Sequence, residues 1–233
     1  MSIIKKIHAI PNFVKILLLV DLLLIALFLI DHSFGSPFDF LEDFLDVDDE
    51  NNLPAWYSSM QLFLVSLTMG IFCAAKINRK EKSTWILLIF PITFLLMSLD
   101  EIAMIHEELG EVSDFLLEGG RRRNTPFRVT GIWMFLLGIP FFIAMLSLIL
   151  VQLRKYIMDF PNITRKFVLG LSVYVFSAAG IEIFSNYYRR GSPYLIQVCA
   201  EEFGEMLGIT ILLWATLDLL KAHKIKIDLN RKE

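Results

Sequence analysis

Residues 84–105 read TWILLIFPITFLLMSLDEIAMI: sixteen positions without a formal charge, then Asp100 and Glu101 before the apolar run resumes. A helix crosses the hydrocarbon of a bilayer with roughly 20 apolar residues at about 1.5 Å each, so this stretch is long enough to span it. Five further stretches meet the same requirement, at residues 13–30, 56–75, 130–153, 167–184 and 194–220. The expected fold is therefore an all-α integral membrane protein, a bundle of six transmembrane helices forming one polytopic domain over residues 1–233.

Composition agrees. Hydrophobic residues make up 55% of the chain and the mean hydropathy is +0.58, more apolar surface than a soluble domain of this size can wet. The charged residues stand in blocks between apolar runs instead of at helical spacing. A net charge of -3 without a basic, aromatic-interleaved stripe excludes a nucleic-acid partner. Two cysteines, Cys73 and Cys199, fall near opposite membrane faces and imply no disulfide framework.

The connections alternate in character. Lys5, Lys6 and Lys15 precede the first span, Lys76, Arg79, Lys80 and Lys82 join the second to the third, and Arg154, Lys155, Arg165 and Lys166 join the fourth to the fifth. The tail adds Lys221, Lys224, Lys226, Arg231 and Lys232, so every lysine falls on one side. The positive-inside rule makes that side cytoplasmic and puts both termini there, in a bacterial cytoplasmic (inner) membrane. The competing reading of the first span is a cleaved signal peptide ending near Ser33 and Gly35. Pro91 and Pro140 lie inside the third and fourth spans, where a missing amide hydrogen predicts a kink.

The spans also contain acids. Counted from the cytoplasmic ends at about 1.5 Å per residue, Asp100, Glu101, Glu182 and Glu205 reach one layer in the outer third of the membrane, with Gln61 at similar height. Glu201, Glu202 and Glu205 share a face, and a carboxylate inside a span costs about 2.5–3.5 kcal/mol on insertion scales. Such a layer needs a counter-charge. Three are open: a divalent metal (Fe, Zn or Mn), protons, or arginines.

For a metal, the expected ligands are Asp100, Glu101, His106, Glu201, Glu202 and Glu205, with Glu182 a ligand or catalytic base. His106 lies five residues beyond Glu101, which on an ideal helix points it well away from both Asp100 and Glu101, so either the helix unwinds near Ile105 or His106 belongs to the outer rim. The external cations are all arginines, Arg121, Arg122, Arg123, Arg128, Arg189 and Arg190, a donor set suited to an anionic lipid or substrate headgroup and equally to the acids of the outer loops. The run from Asp46 to Asn51 resembles the start of a calcium loop but lacks its glycine and terminal glutamate, and a solvated acidic loop accounts for it better. Asp21 and Asp218 lie toward the cytoplasm, where two readings stand, a second polar point or side chains that merely reach the interface. No phosphate-binding glycine loop, Gly-x-Ser-x-Gly or His-Glu-x-x-His is present.

The run Ser98-Leu99-Asp100-Glu101 with His106-Glu107, and the run Glu201-Glu202-Phe203-Gly204-Glu205-Met206-Leu207-Gly208, resemble segments of uncharacterised bacterial multipass membrane proteins, a group without an established activity. The resemblance covers the last two thirds of the chain and implies a bacterial origin. Three functions follow from the acidic layer: a metal-dependent enzyme acting on a lipid-like substrate, a proton-coupled or cation transporter, or a non-catalytic subunit of a membrane complex.

Overall fold

The computed structural model describes residues 10–77, 82–117, 132–181, 183 and 191–225, and among them every regular element is helical. α1 (Asn12–Ser33) and α3 (Leu53–Lys76) are long rods joined through the short α2 (Asp39–Leu45). A 3-10 segment, Lys82–Leu88, runs straight into α4 (Ile89–Ala103), which is followed by α5 (Ile105–Ser113). A π-helical turn, Met134–Gly138, opens α6 (Ile139–Gln152), and α7 (Arg154–Ile157) is a single turn. α8 (Pro161–Val175) is prolonged by a second π-helical turn, Phe176–Ile181, and α9 (Ser192–Ala222) is the longest rod.

Helices thus occupy all six apolar stretches. Four of them, Asn12–Ser33, Leu53–Lys76, Thr84–Ala103 and Ser192–Ala222, are long and apolar enough to cross a membrane, and Met134–Leu148 is a shorter apolar helix. Two boundaries differ from the hydropathy reading for local reasons. The fifth helix starts at Pro161 because proline is pre-organised for the first helical position, which carries the helix out through Arg165 and Lys166. The third ends at Ala103, where Met104 adopts a left-handed conformation (φ 54°) and breaks the rod.

Neither proline lies in the middle of an α-helix. Pro91 is the third residue of α4, just after the 3-10 segment, and Pro140 is the second of α6, just after the π-helical turn. A residue with no amide hydrogen is where the winding changes without losing a further bond, so the expected kinks take the form of changes in helical pitch.

α9 is the central rod and packs on α8, α3 and α1, while α4 packs on α3. The core between them is built from Leu62, Met69 and Phe72 of α3, Phe90 of α4, Phe167 of α8 and Ile209 of α9, all fully buried. The outward faces are also apolar: Leu19, Leu96, Leu137, Leu169 and Ile196 are each more than half exposed. At about 25 cal/mol per Å² such a surface is unfavourable against water, and it is the surface a hydrocarbon solvent accepts.

Small residues let these rods approach. Ser59 and Ser98 exchange hydrogen bonds with each other's carbonyls between α3 and α4 at 2.7 and 2.9 Å, and the Ser66 hydroxyl donates to the Pro91 carbonyl at 2.6 Å. Between α8 and α9 the contact is closer still. A Cβ placed on Gly208 would stand 2.6 Å from the Tyr174 backbone nitrogen and 2.9 Å from the Gly170 carbonyl oxygen, and one on Gly204 would fall 1.9 Å from the Ser177 hydroxyl. Gly204 and Gly208 form the Gly-x-x-x-Gly pair that drives close helix crossing in membranes.

An acid-lined cavity at the α4–α5 break

The left-handed turn at Met104 decides the geometry of the site. It breaks the rod between α4 and α5, and Asp100 receives the start of α5: its Oδ1 accepts the His106 backbone N–H at 2.8 Å and its Oδ2 lies 3.1 Å from His106 Nδ1. A carboxylate there satisfies an orphan donor of the new helix and orients the imidazole through Nδ1. His106 Nε2 then faces Glu50 Oε1 at 3.7 Å, and its ring leans on Trp133 with centroids 5.6 Å apart. Of the two alternatives for His106, helix unwinding is the one the structure adopts, one residue before Ile105.

These groups line a cavity of about 1320 Å³. Asp100, Glu101, His106, Glu201, Glu202 and Glu205, the six expected ligands, all lie on its wall. Glu202 is within electrostatic range of Glu101, Glu201, Asp48 and Glu50. Carboxylates contributed by separate rods therefore share one cavity. Among the described residues on the wall there is no lysine or arginine. The same cavity is also lined by apolar and aromatic residues, Trp133, Met134, Leu137, Phe141 and Phe142. Glu182 and the six arginines, Arg121, Arg122, Arg123, Arg128, Arg189 and Arg190, lie outside the described residues.

Several wall residues were missed by the sequence reading. Asp48, Asp49 and Glu50 belong to the loop read as a solvated acidic segment; Asp48 and Asp49 are exposed, as that reading has it, and the loop is also hydrogen-bonded internally and lines the cavity. Asp48 N–H donates to Asp46 Oδ1 and Glu50 N–H to Asp49 Oδ1, both at 2.9 Å. Asn52 ties the loop off, its Nδ2 donating to the Asp46 and Asp49 carbonyls while its Oδ1 caps α3 by accepting Ala55 N–H at 3.0 Å. The Tyr194 hydroxyl donates to Asp48 Oδ2, fastening the loop to the first turn of α9. Desolvation raises Asp48 above its ordinary carboxylate value, the Tyr194 bond opposes this, and the charges of Asp46 and Asp49 add to it. The legible signal was Asn52 followed by Pro54, a helix-start pattern that anchors the loop directly to a span. Glu108, Glu111 and Asp114 from α5 and its continuation also reach the wall, as does Gln197, which is buried and whose amide has no hydrogen-bond partner among the described residues.

Gln61 does not belong to this layer. Its Nε2 lies 2.9 Å from Asp21 Oδ1, from the Tyr57 hydroxyl and from Thr210 Oγ1, in a separate buried centre between α1, α3 and α9. Asp21 and Asp218 are likewise not one polar point. Asp21 is midway along α1, whereas Asp218 pairs with Lys166, whose ammonium also sits 3.6 Å from the centroid of the Trp214 ring.

As a metal site the described geometry is incomplete: no three of the described His, Cys, Asp and Glu residues stand within reach of one ion. His106 Nε2 and Glu50 Oε1 have close to the separation, about 3.4 Å, of two ligands on one tetrahedral ion. No curated protein and no solved structure matches the chain. The family model described as Domain of unknown function (DUF8692) does match, over residues 16–220, and the chain belongs to that family.

Proposed function

We propose that the chain is a six-span, multi-pass protein of a bacterial cytoplasmic membrane, with both termini inside, and that its acid-lined cavity opens outward and binds a cation. The observation that carries this is the wall itself: carboxylates from the 46–52 loop, α4, α5 and α9 meet in one cavity with no described lysine or arginine among them. Like charges so placed favour whatever brings positive charge, and the aromatic residues of the same cavity favour an apolar body attached to it. That every lysine falls on the inner side supports the orientation.

A second reading, a metal-dependent enzyme acting on a lipid-like substrate, draws on the Asp100–His106 dyad. A carboxylate on Nδ1 fixes the tautomer that presents Nε2 to a metal, Glu50 stands beside it, and the apolar wall suits an acyl chain. In that reading iron, zinc or manganese is held by His106 with carboxylates of the wall, Glu182 completes the set or acts as base, and the arginines outside the described residues hold an anionic headgroup.

Calorimetric titration of the purified protein with Mn²⁺, Zn²⁺ and dodecyltrimethylammonium tests the first reading. Binding of at least one, weakened tenfold or more in Glu202→Gln, is expected, and indifference of all three to that substitution overturns it. Elemental analysis tests the second: stoichiometric iron, zinc or manganese that is lost in His106→Ala supports it, and metal-free protein removes it.

A further inference from the structure

Asp21 is fully buried halfway along α1, and every polar contact it makes is with a neutral group. From α3, the Tyr57 hydroxyl lies 2.8 Å from Oδ1 and Gln61 Nε2 lies 2.9 Å from the same oxygen. From α9, Thr210 Oγ1 lies 3.1 Å from Oδ2. No lysine, arginine or histidine among the described residues pairs with it, and α2, the remaining helix packed on α1, carries only Asp39, Glu42 and Asp43, all exposed. A buried carboxylate without a counter-charge is costly, and these neutral hydrogen bonds offset only part of that cost.

The contacts also contain a ready answer. The Tyr57 hydroxyl has a second acceptor, the Leu17 carbonyl at 3.1 Å, and its oxygen already accepts from Gln61 Nε2 at 2.9 Å. With Asp21 ionised, Tyr57 donates to Oδ1. With Asp21 protonated, the acid O–H donates to the Tyr57 oxygen and the tyrosine hydroxyl rotates to Leu17, so one proton is accommodated with no heavy atom moving. Thr210 goes on donating to Oδ2, and the two Gln61 Nε2 hydrogens are shared among Asp21 Oδ1, the Tyr57 oxygen and Thr210 Oγ1, each at 2.9 Å.

We propose that Asp21, with Tyr57 as its hydroxyl relay, is a reversible intramembrane proton-binding site. It is independent of the cavity: Thr210 lies five residues along α9 from Glu205, about 7.5 Å deeper. The site takes a proton and not a metal ion because the groups around the carboxyl are donors aimed at it, while an ion needs oxygens turned inward.

Infrared difference spectroscopy of the full chain in lipid, stepped between about pH 4 and about pH 10, tests this, since a protonated carboxyl has a carbonyl band that a carboxylate lacks. Among the deuterium-sensitive carboxylic-acid bands that titrate within the range, one is expected to be absent in Asp21→Asn and shifted in Tyr57→Phe, which keeps the acid but removes its relay. Should Asp21→Asn fail to fold, the Tyr57→Phe shift in wild-type-like protein decides alone. A set of titrating bands identical in wild type and Tyr57→Phe, or none lost in a folded Asp21→Asn, overturns the proposal.

Discussion

Replacing Gly208 by alanine adds one methyl group at the tightest point between α8 and α9. Its carbon would meet the Tyr174 nitrogen at 2.6 Å, the Tyr174 Cβ at 2.8 Å and the Gly170 carbonyl oxygen at 2.9 Å. Two of the three are backbone atoms, which cannot rotate aside. The rods must part by roughly 0.5–1 Å, a gap at which a packed contact forfeits a quarter to a half of its dispersion energy. Contacts of Leu171, Tyr174 and Leu212 all lie in that interface. Overpacking of this kind costs about 1–3 kcal/mol, and at about 2–4 °C per kcal/mol for a chain of this size the midpoint of unfolding falls by about 2–12 °C. Gly70→Ala is the control, because its methyl would meet only the Pro91 Cβ at 3.8 Å in the interior of α3. Relief of glycine's helix penalty predicts a gain of up to about 1 kcal/mol there. Thermal unfolding of both variants in one detergent, followed by tryptophan fluorescence, measures the pair. A Gly208→Ala midpoint at or above wild type, or an equal loss in Gly70→Ala, refutes the close-approach argument.

Asn52→Ala removes the α3 cap and both side-chain bonds that close the acidic loop, so a loss of about 1–2 kcal/mol is expected, with faster amide exchange confined to the 46–55 segment. Exchange spread evenly over the chain would contradict it. Lys166→Met leaves the half-buried Asp218 with only Lys221 at 3.8 Å, at a cost of about 1–3 kcal/mol, and the double change with Asp218→Asn should recover part of that loss in a double-mutant cycle. For Asp48 the sign follows from its raised folded value. The folded state holds the proton more tightly than the unfolded chain, so this group's contribution is complete below 3.8 and is lost as pH rises through the higher folded value. Asp48→Asn should flatten that part of the stability profile, and an unchanged profile counts against the assignment.

The long elements were legible because their signal is thermodynamic and local: an uncharged run of membrane length is helical whatever its neighbours do. The break at Met104 was half legible. Ideal helix geometry showed that His106 and Asp100 cannot share a face, which forces unwinding or separation, but only the fold reveals that Asp100 captures the start of α5. The acids of α4 and α9 that depth counting grouped together line one cavity, while Gln61, grouped with them, does not, because height along a rod says nothing about azimuth. Gln61 faces α1, where Asp21 needs a donor. The glycine pair at 204 and 208 was readable from its spacing and was passed over as part of an acidic segment. Its neighbours explain why the two features share one stretch. At every fourth position the helix turns a glycine to α8, and the intervening Glu205 faces the cavity. The residues that let α9 sit close to α8 therefore also fix the direction in which α9 presents its acids. A substitution at Gly208 should disturb the cavity even though Gly208 does not line it, and cation binding by Gly208→Ala falling less than twofold would separate the two roles.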